Sequence, residues 1–293
     1  MMNIKKFIIS IFLFLPSLLI AQDVFPLPDV PGTLKAPEVR ANYLALHYWD
    51  KLDFNDNSLI ENRDMMEQGF SNFISIMPYV GEKKAAFEML GSRLVTNTRM
   101  LQYFLTVGMK YLAEPLSPVY DEELYIMFLN GIVSQQGITE RDYEEVAFEL
   151  DMARKNRIGT KAADFAFLKR DGKQGRLSKV KAEYILLFFG DPECDVCAEV
   201  KENLKSSEVI ASFIDNGRLK VLSVCGEGDT DAWRQTTLPP AWIDACDDKQ
   251  VIYSDLLYDI PGLPVLYLLD KEHNVIMKNV PLSYIEHFFE KIM

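Results

Sequence analysis

The stretch "YILLFFGDPECDVC", residues 184–197, sets six apolar residues in a row ahead of a turn and a Cys-x-x-Cys pair. A half-buried strand alternates apolar with polar. A run that is apolar at every position has no face to offer water, so residues 184–189 predict a central strand with helices above and below. Beyond the cysteines, Val196, Val200 and Leu204 recur at i, i+4 and i+8, which predicts a helix with one apolar stripe. Cys194 and Cys197 therefore stand where a central strand ends and a helix begins. The first turn of a helix presents unpaired N–H groups and the positive end of its dipole. A thiolate on Cys194 is stabilised there, and the thiolate is the attacking species in disulfide exchange. The three-residue spacing lets Cys197 reach Cys194 from inside the first turn and resolve a mixed disulfide.

Further strands follow from the same kind of reading. Residues 163–168 alternate enough for a strand, Asp171-Gly172 marks a turn, and residues 177–180 are expected as its partner. Residues 220–224 and 265–269 predict two more buried strands, residues 274–278 a hairpin partner, and residues 283–292 a closing amphipathic helix. The order is a βαβ unit followed by a ββα unit. Upstream, residues 38–157 carry helical spacing: Met66, Phe70, Phe73, Ile74 and Met77; then Phe87, Leu90, Leu94, Leu101, Phe104 and Leu112; then Leu124, Met127, Phe128 and Ile132. Thr139 reads as a cap before Tyr143, Val146, Ala147 and Leu150. Breaks near residues 78–81, 115–118 and 137 give four or five helices. No repeat of solenoid length is present.

Residues 1–21 have Lys5 and Lys6, an apolar stretch broken by Pro16, and Ala21 before a polar residue. This is the layout of a secretory signal peptide with a cut after Ala21, and the stretch is shorter than the roughly 20 residues a membrane span needs. The expected product is exported, to the periplasm, and touches a membrane only if this segment stays uncleaved. The boundaries expected are 1–21 signal peptide, 22–157 helical domain and 158–293 α/β domain. The 293-residue chain carries a formal charge of −12, which repels phosphates and argues against nucleic acid as a partner.

The four cysteines, Cys194, Cys197, Cys225 and Cys246, all lie in the last hundred residues. In an exported protein an even count permits structural or chemical disulfides. Cys225 ends a buried strand and Cys246 falls in the loop after "PPAWIDA". The two could form a structural bridge, worth about 2–4 kcal/mol, remain free, or exchange with the first pair. A zinc site would need Cys225 and Cys246 to complete the Cys194–Cys197 pair, with no histidine near in sequence, so no metal is expected. His47, His273 and His287 are scattered and make no triad with a serine or cysteine.

From "ADFAFLKRDGK" onward, through "YILLFF", "DPECDVC", "LKVLSV" and "GLPVLYLLDKEHNVIMK", the chain resembles a secreted bacterial thioredoxin-fold thiol–disulfide oxidoreductase with an extra N-terminal hairpin. The resemblance implies a thioredoxin-like α/β domain after an all-α domain. It implies Cys194 as the attacking and Cys197 as the resolving residue. It also implies a cis-proline loop at Pro264, where the backbone of Leu263 binds an extended substrate segment. The partners implied are a protein thiol or disulfide substrate and a dithiol protein as electron donor, with no cofactor. The helical segment with "YLALHYWDKLDF" resembles a domain of unknown function often fused ahead of such domains, and implies no activity. Peroxiredoxin-like sites have a Thr three residues ahead of a single reactive Cys; Asp191 stands there instead.

Two departures qualify the resemblance. Glu193 precedes the first cysteine and Asp195-Val196 separates the pair, and Leu263 replaces the Thr often found before the cis-proline. A carboxylate about 6 Å from the Cys194 sulfur, at an effective dielectric of roughly 20 to 60, opposes thiolate formation by about 1–3 kcal/mol. The more basic thiolate is the poorer leaving group, which predicts a reductase-like poise. The alternative is a redox-inactive binding or scaffolding protein that keeps the fold, its helical domain recognising a partner.

Overall fold

The computed structural model describes residues 25–293, so the expected signal peptide lies outside the described residues. Six α-helices fill the first half: α1 Pro37–His47, α2 Arg63–Ile76, α3 Lys83–Leu94, α4 Thr98–Gly108, α5 Glu122–Val133 and α6 Glu140–Ala153. The helical spacing from Phe87 to Leu112 carries no break signal, and the chain divides it into α3 and α4 at Asn97. The Asn97 side chain accepts from the Arg99 and Met100 N–H groups at 3.1 and 3.4 Å and donates to the Phe54 carbonyl at 2.8 Å. An asparagine so engaged competes with the helical backbone bonds and starts a new helix. Thr139 caps α6 as read, accepting from Asp142 N–H at 3.1 Å. Tyr143, expected on the inner face, is exposed; Val146 and Leu150 are buried and Asp142 goes in with them, accepting from the Thr98 hydroxyl at 2.7 Å. The core is aromatic, with Trp49, Phe70, Phe73, Phe87, Phe104 and Phe128 all fully buried.

The second half is a seven-stranded sheet. Its elements are β1 Ala166–Lys169, β2 Gln174–Arg176, β3 Tyr184–Gly190, α7 Asp195–Ser206, α8 Glu208–Asp215, β4 Leu219–Cys225, α9 Asp231–Gln235, β5 Ile243–Cys246, α10 Val251–Ser254, β6 Val265–Asp270, β7 Val275–Lys278 and α11 Leu282–Ile292. The strand order is β2-β1-β5-β4-β3-β6-β7. Central β3 runs parallel to β4 and antiparallel to β6. Both its faces are covered: Leu186 and Phe188 pack with α7, α8 and α11, while Ile185, Leu187 and Phe189 pack with Phe165, Ile252 and Tyr258.

Three local expectations change. The partner of β1 is β2, not residues 177–180, because Leu177 and Val180 turn inward and are buried. Their carbonyls accept from Nε2 of the buried His273 at 3.1 Å each, so this histidine closes a turn in the core. Residues 243–246 are a strand, not a loop. β5 lies between β4 and antiparallel β1, and Cys246 is at its end. The buried stripe of α7 runs through Cys197, Lys201 and Leu204, leaving Val196 exposed. The helix phase is set by Cys194 at its N-cap, which turns Cys197 toward the core and Val196 away from it.

The two halves are joined by polar contacts. Lys278 on β7 forms an ion pair with Glu122 on α5, both about nine-tenths buried. Arg157 pairs with Glu123 at 2.7 Å, and Asn156 Nδ2 donates to the Leu257 carbonyl at 2.8 Å. Among the described residues, no helix is long and apolar enough to cross a membrane.

Candidate active site

The end of β3 places the cysteine pair. Gly190 pairs with Cys225 across β4, and the chain then leaves the sheet through Asp191, Pro192 and Glu193. The Asp191 carboxylate accepts from the Glu193 N–H at 2.6 Å and holds this turn. Cys194 follows in extended backbone as the N-cap of α7, and its Sγ accepts from the Cys197 N–H at 3.1 Å. Sulfur thus takes the place that a Ser or Asp oxygen usually holds at a helix start. A thiolate there receives that same N–H and the positive helix end.

The two cysteines are unlike. Cys194 is half-buried, whereas Cys197 is fully buried. Burial, and then the neighbouring Cys194 sulfur, push the Cys197 thiol up to about 12. One sulfur is open to a partner and the other is a protonated reserve behind it.

Leu263 and Pro264 lie beside them. The peptide between them is cis, and Pro264 leads directly into β6, where Val265 pairs with Phe189. That register brings the Leu263 carbonyl to face Cys194, whose Sγ donates to it over 4.0 Å. The sheet therefore brings together Cys194, Cys197, Leu263 and Pro264 from positions some seventy residues apart. Glu193 and Asp195 are exposed, so water and salt screen their charge at the sulfur. Asp195 also sits in the first turn of α7, where a negative charge is favoured.

Cys225 and Cys246 form a second, separate pair. They are register partners at the ends of β4 and β5, buried with Trp233. Both are free thiols here, pushed upward chiefly by burial, Cys246 to about 12. Arg170 closes this corner: its guanidinium lies 4.9 Å from the Trp233 ring and bonds Asp244 at 2.5 Å.

Sequence reasoning missed Lys201. It is buried one turn beyond Cys197, its Nζ 5.4 Å from the Phe188 ring centroid, and its charge favours the thiolate forms of Cys197 and Cys225. A lysine on a helix reads as a solvent-facing residue, and only the phase of α7 turns it inward. Tyr253 was also missed. Its ring packs on Gly226, where a Cβ would lie 2.1 Å from it, and it stands within electrostatic reach of Asp191 and Cys197. Among the described residues, no three His, Cys, Asp or Glu side chains converge as a metal site.

The family described as a domain of unknown function, DUF5106, matches residues 9–156. A thioredoxin-like protein from Bacteroides caccae is 33% identical over 92% of this chain and 99% of its own, with a TM-score of 0.74. The chain belongs to the thioredoxin-like proteins that carry this domain. Its architecture is accordingly an all-α DUF5106 region followed by a thioredoxin-like α/β domain. The C-terminal domain of an uncharacterized protein from Bacteroides fragilis is 39% identical over 46% of the chain and 98% of its own, with a TM-score of 0.45. The thioredoxin domain of a thiol-disulfide oxidoreductase from Bacteroides vulgatus is 20% identical over 46% of the chain and 97% of its own, with a TM-score of 0.40. A search of curated proteins found no match.

Proposed function

We propose that the chain is an exported, periplasmic thiol–disulfide oxidoreductase that reduces disulfides in protein substrates. The observation that carries this reading is the Cys194 sulfur, accepting the Cys197 N–H at a helix start and facing the Leu263 carbonyl. The Cys194 thiolate attacks one sulfur of a substrate disulfide, forming a mixed disulfide and releasing the other substrate sulfur as a thiolate. Cys197 then gives up its proton and attacks the Cys194 sulfur. The Cys194–Cys197 disulfide forms, and the remaining substrate sulfur leaves and takes up a proton. Two electrons pass from the dithiol to the substrate, and a second dithiol protein returns them. The exchange needs no cofactor. The Leu263 backbone beside Pro264 aligns the substrate segment. The acidic flanks of Cys194, though screened, favour the reducing direction.

An insulin-reduction assay with dithiothreitol, on the chain without residues 1–21, tests the reading. The wild type should accelerate insulin precipitation, Cys194→Ser should match the uncatalysed rate, and Cys197→Ser should accumulate a mixed disulfide visible on a non-reducing gel. Equal rates for wild type and Cys194→Ser would favour the redox-inactive binding role.

A further inference from the structure

A cavity of about 480 Å³ lies between the helical region and the thioredoxin-like domain, a size that holds a side chain or a small ligand. Its outer wall is apolar: Met109 and Phe148 from the helical side and Tyr253 and Leu256 from the other are all exposed large side chains. Exposed apolar side chains grouped around one opening mark a binding surface more often than those scattered singly. Inside, the charges are one-sided. Lys278 is already paired with Glu122, which leaves the exposed Glu114 and the half-buried Glu149 on α6 and Asp259 from the loop before β6. Burial raises both carboxyls above their ordinary range, and the charge of Asp259 raises Glu149 further. Glu149 and Asp259 thus bring one half-buried carboxylate from each half of the molecule to a partly dry space; the charge of Lys278 reaches Asp259 and the Tyr125 hydroxyl bonds Glu149, yet the lining holds more carboxylates than cations.

The cavity also adjoins the cysteine site. Tyr253 spans the two, lining the cavity while standing within electrostatic reach of Cys197. Ile260 and Pro261 line it as well, and the chain runs on from them to Leu263 and Pro264. A substrate segment laid along Leu263 would pass its flanking residues over this opening.

We infer that the interdomain cavity is a recognition pocket for a lysine or arginine side chain with an apolar neighbour, carried by the protein substrate beside its exchanging cysteine. The ammonium or guanidinium stands between Glu149 and Asp259, relieving their repulsion, and its neighbour covers Phe148 and Leu256. A charge-assisted contact in a partly desolvated pocket is among the stronger polar interactions. The helical region then has a defined part: it supplies half of the pocket that selects the substrate. As a statement of substrate class, this rests on the proposed exchange activity.

The test separates binding from exchange. Fluorescent cysteine-free peptides that differ only in a Lys-Leu, Gln-Leu or Glu-Leu pair are titrated by anisotropy against the full chain. The Lys-Leu peptide should bind about tenfold more tightly than the Glu-Leu peptide. Glu149→Gln/Asp259→Asn, which keeps the shapes and removes the repulsion, should abolish that preference. Glu272→Gln/Glu290→Gln, removing the same charge from exposed sites elsewhere, should retain it, which excludes a mere effect of net charge. No preference in the wild type, or an equal loss in both double variants, overturns the inference. Reduction of bis(2-hydroxyethyl) disulfide, too small to span the pocket, reads the exchange activity by itself and should be unchanged in Glu272→Gln/Glu290→Gln. Loss of that activity in the wild type would sink the oxidoreductase reading while the binding result still decides the pocket.

Discussion

At the scale of single residues, the two cysteines of the motif differ because one caps a helix and the other is inside it. Burial is the larger cause of the raised Cys197 thiol, so it persists when Cys194 is tied up in a mixed disulfide. Cys197 must lose its proton to attack, and its thiolate fraction grows about tenfold per pH unit while the pH stays well below about 12. Release of a preformed Cys194 mixed disulfide should therefore accelerate about tenfold per unit between about pH 7 and 9, followed by stopped-flow fluorescence. A flat profile would show that the resolving thiol is already ionised. The motif and its place at a strand end were legible, because an all-apolar run followed by helical spacing is a local signal. Lys201 was not legible. Its type predicts exposure, and only the phase set by the Cys194 cap buries it under Phe188.

At the scale of elements, α3 and α5 approach through Gly91 and Gly131. A Cβ on Gly131 would stand 2.5 Å from the Phe87 carbonyl oxygen, which is backbone and cannot swing aside. Gly131→Ala should cost about 2 kcal/mol or more in urea unfolding, since the helices must separate and the aromatic core between them loosens. Val196→Ala, on the exposed side of α7, should change stability by less than about 0.5 kcal/mol. The Val196-Val200-Leu204 stripe predicts the opposite for Val196. Periodicity locates a helix face only to within a residue or so, and the cap decides which neighbour goes inside. The β5 strand escaped notice for a related reason. It is four residues long, only half of it fully buried, so its pattern is too brief to read.

At the scale of the whole molecule, the Glu122–Lys278 pair holds the helical region against the edge strand β7. Removing one partner leaves a buried charge unanswered, which is costlier than removing both. Lys278→Met should lose about 3 kcal/mol in urea unfolding, and adding Glu122→Leu should recover most of it. An equal loss in both variants would mean that packing, not charge, sets the interface. By itself, the sequence determined a helical first half, a central strand covered on both faces, and a cysteine pair at the start of the helix that follows. Each of these depends on apolar spacing within a few turns of chain. Tertiary structure alone decided that β5 enters between β1 and β4, setting Cys246 beside Cys225. It alone brought Glu149 and Asp259 to one cavity. These pairings depend on which elements pack together, and burial of the faces of β3 and α7 drives that packing over distances in sequence that no local pattern spans.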